Sequence, residues 1–196
     1  ASPLDDMSMD DLANDVAAVV ATLAGGRATL LGHAFGNRVV RHTATRHPDA
    51  VESVILVACG GKVPPAPEHT AALHAVFDVI LDDEAHLDAV RTAFFAPGND
   101  ASVWFGGWHG VVAAAQAAAT AATDASTWWA AGDADLLVLQ PEQDVIALPQ
   151  NAADIARAVG DRATVLSIPG AGHATLPEQP DAIARTILTW LDLRGM

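Results

Sequence analysis

The chain has 196 residues, 51% hydrophobic and 17% charged, which supplies the core of one globular domain and excludes a disordered chain. Ten basic residues stand against 24 acidic ones, a formal charge of −14, so there is no basic surface for a phosphate backbone and nucleic acid is not an expected partner. The lone cysteine, Cys59, excludes an intrachain disulfide and a cysteine-built zinc site, and points to a reducing, cytoplasmic setting.

No apolar run reaches the roughly 18 residues of a membrane span, so no membrane partner is expected. Ala1–Asp6 has neither the basic nor the apolar region of a signal peptide. The basic set is nine Arg and one Lys, Lys62; with so much Ala this reads as codon composition and implies no function.

In chain order, Ser8 with Asp11 three residues on is an N-cap signal, and Leu12, Val16, Val20 and Leu23 then share one helical face as far as Gly25 and Gly26. Ala28 to Leu31 is a short apolar strand, and Phe35 to Arg46 is helical until His47 and Pro48 stop it. Val51 to Ala58 is a continuous apolar run, the pattern of a parallel strand covered on both faces. From Lys62 to about Ala131 the pattern is helical, opened by Pro64, Pro65 and Pro67, and it holds eight of the ten aromatic residues. Leu136 to Gln140 and Ala163 to Ile168 are strands; Asn151 to Val159 and Asp181 to Leu193 are helices. This alternation predicts an α/β domain with a parallel sheet, a core of residues 1–61 and 132–196, and a helical cap inserted at 62–131.

Small residues at both ends of the turn Gly32-His33-Ala34-Phe35-Gly36 let a strand and a helix pack closely around a strained central position. The turn resembles the nucleophile elbow of the α/β-hydrolase fold family, Gly-x-Ser-x-Gly, with Ala34 at the place of the serine. The segment LLVLQPEQDVI, 136–146, is similar to the family's strand and acidic turn. VLSIPGAGHATLP, 165–177, is similar to its last strand and histidine loop. The resemblance implies Asp144 as the acid, with Glu142 as the fallback, His173 as the base, and the Phe35 N–H as an oxyanion donor. It also implies an α/β-hydrolase-like parallel sheet flanked by helices with an inserted helical cap.

The family's strands before the first helix are absent from these 196 residues, so a separate N-terminal segment of the same protein is an expected partner. His33, Trp104, Trp108 and Trp128 are expected to bind the substrate, although the tryptophans could instead pack the cap's own core. His109 is expected on the surface and Cys59 as a buried thiol near the pocket mouth. Thr29 is the nearest hydroxyl to the elbow.

The expected ligand is a small apolar or aromatic molecule, and the expected activity is hydrolysis of small apolar or aromatic esters, lactones or related carbonyl compounds. Ala34 fits an engineered Ser-to-Ala change or a natural branch that uses the His173–Asp144 pair without a covalent step. The alternatives are a non-catalytic binding protein, or a His–Asp dependent lyase or cofactor-free oxygenase. No metal-ligand spacing and no phosphate-binding glycine motif is present, so neither metal nor organic cofactor is expected.

Overall fold

The computed structural model describes residues 4–195; of the segment read above for targeting, Ala1, Ser2 and Pro3 lie outside the described residues. Four strands, β1 (Ala28–His33), β2 (Val51–Val57), β3 (Asp135–Pro141) and β4 (Ala163–Ile168), pair in parallel in the order β1-β2-β3-β4. Each crossover carries helix. α1 (Met9–Leu23) precedes β1, α2 (Phe35–Arg46) joins β1 to β2, α6 (Gln150–Val159) joins β3 to β4, and α8 (Pro180–Leu193) closes the chain. The Ser8 signal is a full capping box: Asp11 N–H donates to Ser8 Oγ at 3.1 Å and Ser8 N–H donates to Asp11 Oδ2 at 3.1 Å.

The two central strands explain their own composition. Successive side chains point to opposite faces, so Val54, Leu56, Leu136 and Val138 bury against Val40, Ala44 and Ile155 on one side. Ile55, Val57, Leu137 and Leu139 bury against Ile168, Ile183 and Trp190 on the other. A strand covered on both faces has no use for a polar alternation, which is why both read as unbroken apolar runs. The edge strands differ: Leu31 on β1 is 45% exposed, and Val165 and Leu166 on β4 are 39% and 40% exposed.

Between β2 and β3 the chain is helical: α3 (Pro67–Ala75), α4 (Asp83–Phe94), a 3₁₀ turn at Ala101–Trp104 and α5 (Gly110–Ala121). These elements have a core of their own, in which Val76, Val90, Phe94, Phe95 and Ala101 pack together and against Ala174 from the far end of the chain. A short helix, α7 (Thr175–Glu178), follows β4 and was not predicted; four residues are too few to show a helical period. Among the described residues no helix is long and apolar enough to cross a membrane.

Candidate active site

The site is built where the parallel strands end. β1 stops at His33 and α2 starts at Phe35, leaving Ala34 alone between them at φ 52°, ψ −118°. That left-handed backbone is costly for a residue with a side chain and persists only where the surroundings impose it. Here Asn37 helps impose it, with Nδ2 donating to the Val57 carbonyl at 2.6 Å and tying α2 to the end of β2. Phe35 is the first residue of α2, so its N–H belongs to the turn of donors that a helix leaves unsatisfied.

The close approach also dictates Gly32. A Cβ there would lie 2.4 Å from the Gly36 carbonyl oxygen and 2.7 Å from the Asn37 nitrogen, both backbone atoms. Gly32→Ala is therefore expected to lower stability by more than about 2 kcal/mol, beyond ordinary overpacking, and a urea unfolding curve measures it.

Asp144 sits in the turn after β3 and His173 in the loop after β4; they are 2% and 5% exposed. His173 Nδ1 and Asp144 Oδ2 are 2.9 Å apart, while Asp144 Oδ1 accepts from the N–H groups of Ile146 at 2.8 Å and Ala147 at 2.7 Å. Burial alone would raise the Asp144 pKa. The His173 charge, its hydrogen bond and the two backbone donors outweigh burial and hold the carboxyl below its ordinary value. An ionised Asp144 only accepts, so in the neutral form of His173 the proton lies on Nδ1 and the lone pair on Nε2.

His173 and Ala34 line one cavity of about 880 Å³, together with His33, Phe35, Trp104 and Trp108. Its walls are largely apolar; Phe94 and Trp108 stack with centroids 5.2 Å apart, and the Phe94 ring lies 5.7 Å from the His173 ring. A parallel sheet, a strained turn after β1, and a buried acid–histidine pair on the loops after β3 and β4 are the arrangement that the turn motif alone could only suggest.

The alpha/beta hydrolase family model matches residues 1–186. The chain belongs to this family. A stretch of 48 residues is 42% identical to the 2-(acetamidomethylene)succinate hydrolase of Mesorhizobium japonicum, spanning 24% of this chain and only 17% of that relative. Among solved structures, BpoC of Mycobacterium tuberculosis H37Rv, assigned as a non-heme bromoperoxidase, superposes with a TM-score of 0.78 at 22% identity, covering 95% of this chain and 75% of that one. E-2-(acetamidomethylene)succinate hydrolase superposes at 0.69 with 23% identity, covering 98% and 76%. A thermophilic esterase from Thermogutta terrifontis superposes at 0.73 with 21% identity, covering 95% and 72%.

In this family member the structure brings Ala34, Phe35, His33, His173, Trp104 and Trp108 to one cavity, with Asp144 directly behind His173. Trp128 is a correction. It is 2% exposed and lies behind the cavity wall rather than in it, its ring packed under the Arg41 guanidinium at 4.7 Å in the core between α2 and the sheet. The core cluster that also holds Val40, Ala44 and Val54 takes up the indole. Glu142 is exposed in its turn, His109 is exposed, and Thr29 Oγ1 is hydrogen-bonded to Ser53 Oγ at 2.7 Å.

His33 is closer to the chemistry than its place in the turn suggested. Its ring lies 5.2 Å from the His173 ring, and Nε2 donates to the His173 carbonyl at 2.7 Å. Burial first, and the His173 charge second, push its pKa down to about 4. The folded value lies below the unfolded one of about 6.5, so the unfolded state takes up more protons between those limits. His33 therefore contributes fully to stability above about pH 6.5. That contribution falls, by at most about 1.4 kcal/mol per pH unit, as pH drops toward 4. The urea midpoint is expected to fall across this window, and His33→Gln to flatten the fall.

Glu178 carried no sequence signal, because two of its three partners are about 80 residues away in the chain. Its Oε1 accepts from Ala96 N–H at 2.7 Å and Asn99 Nδ2 at 2.6 Å, and its Oε2 accepts from Gly172 N–H at 2.7 Å. One carboxylate thus clamps the histidine loop to the end of α4. A glutamine amide cannot accept at both ends. Glu178→Gln is therefore expected to cost about 1–3 kcal/mol and to lower turnover by loosening His173, read from unfolding curves and kcat together.

Proposed function

We propose that this chain hydrolyses small apolar or aromatic esters, lactones or related carbonyl compounds by a non-covalent route, with His173 as general base. The observation that carries this is the buried Asp144–His173 pair at 2.9 Å, opening on an apolar cavity whose nucleophile position is a methyl group. Asp144 holds the imidazole with Nε2 as acceptor. Nε2 takes a proton from water as the water oxygen attacks the substrate carbonyl, and the Phe35 N–H receives the developing oxyanion. Collapse of the adduct returns the proton from His173 to the leaving oxygen, so no covalent bond to the protein forms. Two structural neighbours, a succinate-derivative hydrolase and an esterase, carry hydrolytic names, which supports carbonyl hydrolysis on this scaffold. The proposed setting is a reducing cytoplasm, in keeping with the buried free thiol of Cys59.

The test is pre-steady-state release of p-nitrophenol from p-nitrophenyl esters. Linear release from the first turnover is expected, because no acyl-enzyme accumulates. A stoichiometric burst would overturn the route. Ligand binding in the cavity without turnover of any ester or lactone would favour a binding protein instead.

A further inference from the structure

Four of the ten basic residues, Arg46, Arg91, Arg157 and Arg194, are paired with carboxylates on the surface. Arg38 and the single lysine, Lys62, are placed differently: both line the cavity. No Asp or Glu lines it among the described residues, in a chain whose net charge is −14. No carboxylate lies within ion-pair distance of either cation among the described residues, nor of Arg41 just behind them.

What holds these cations is aromatic. Lys62 Nζ lies 4.4 Å from the centre of the Trp129 ring, and the Arg41 guanidinium lies 4.7 Å from Trp128 and 4.9 Å from Trp129. The Arg38 guanidinium lies 6.0 Å from Trp128. A ring face attracts a cation without cancelling its charge, so this support leaves the positive field available to a ligand. Arg41 is fully buried, donates to the carbonyls of Asn37 and Gly60, and keeps Nη1 without a hydrogen-bond partner among the described residues. It adds a fixed positive charge behind the two that face the cavity.

We propose that Arg38 and Lys62 form a carboxylate-binding subsite. The substrates are then carbonyl compounds that carry a free carboxylate as well as an apolar or aromatic part, such as half-esters or carboxylated lactones. Arg38 follows Ala34 by four residues on α2, about 6 Å at 1.5 Å per residue. A carboxylate seated on Arg38 therefore puts the carbonyl a few bonds away over Ala34 and beside His173, with the aromatic part toward Trp104 and Trp108. A guanidinium offers such a group two parallel donors, and Lys62 adds a third at the rim. The choice of bond to be cut rests on the hydrolase reading above; the binding of the carboxylate does not.

The test is calorimetric titration of the full chain with 4-phenylbutyrate and with its neutral amide. The acid is expected to bind at least about tenfold tighter, as charge-assisted hydrogen bonds provide. In the double variant Arg38→Met/Lys62→Met, shown to be folded by circular dichroism, that ratio is expected to fall to about twofold or less. Arg185→Met, which removes one exposed charge on α8, is expected to keep it. Equal binding of acid and amide, binding of neither, or a ratio that survives in the double variant would overturn the subsite. A second arm compares hydrolysis of the monomethyl and dimethyl esters of phenylsuccinic acid. Acid-selective binding without hydrolysis of either ester removes the hydrolase reading and leaves the subsite standing. Hydrolysis of both at equal kcat/KM, with no acid preference in binding, does the reverse.

Discussion

His173→Ala is expected to cut ester hydrolysis by about 10²–10⁴-fold in kcat, the contribution of a placed general base. The geometry makes this specific. With Asp144 committed to Nδ1 and to two backbone donors, His173 Nε2 is held as a proton acceptor at the cavity, whereas His33 Nε2 is committed as a donor to the His173 carbonyl. Affinity for a non-hydrolysable amide is expected to change little by comparison, which separates loss of chemistry from loss of the pocket. Asp144→Asn keeps the shape but removes the charge that selects the tautomer, and is expected to cost a comparable factor. Turnover that survives His173→Ala undiminished would show that the pair is a structural ion pair and that hydrolysis, if any, happens elsewhere.

The second large effect is a gain. Ala34→Ser puts a hydroxyl on a backbone already held at φ 52°, in the cavity that His173 lines. Because an alanine and a serine have the same backbone demands there, the change is expected to leave stability within about 0.5 kcal/mol. It opens a covalent route: the serine oxygen attacks, His173 takes its proton, and an acyl-enzyme forms and is then hydrolysed. The expected result is stoichiometric labelling of position 34 by a fluorophosphonate, a burst with p-nitrophenyl esters that the Ala34 chain lacks, and a rise in kcat on the order of 10²–10³-fold. Absence of labelling in a folded variant would mean that the elbow and His173 are not arranged for a covalent step.

The strands and helices of the core were legible to within a residue or two because each central strand is a short apolar run bounded by turn residues, and because Ser8, Pro48 and Gly25–Gly26 punctuate the helices; the bounds of the helices between β2 and β3 were not. Asp144 and His173 could be placed on the loops after β3 and β4 from their neighbours in the chain, and the structure sets them 2.9 Å apart. What could not be read is contact between residues far apart in sequence. Trp128 looked like pocket wall since aromatic content gives no direction, and only the packing against Arg41 of α2 shows it to be a support. Lys62 looked like an accident of composition, and only the folded chain puts that single lysine beside Arg38. Glu178 joins residues 96, 99 and 172, a connection that no local pattern encodes.

The helix α5 supplies cavity wall through Ala113, Ala114 and Ala117, side chains of one methyl each. None of the three takes part in the hydrogen bonds of the acid–histidine pair or of the Glu178 clamp, which is anchored at residues 96 and 99 between α4 and α5. One wall of the volume offered to a ligand is thus written in a stretch of chain separate from the residues of the proton chemistry. A lineage could trade alanine for larger residues along that single helix and narrow its choice of molecules step by step, without disturbing the reacting centre.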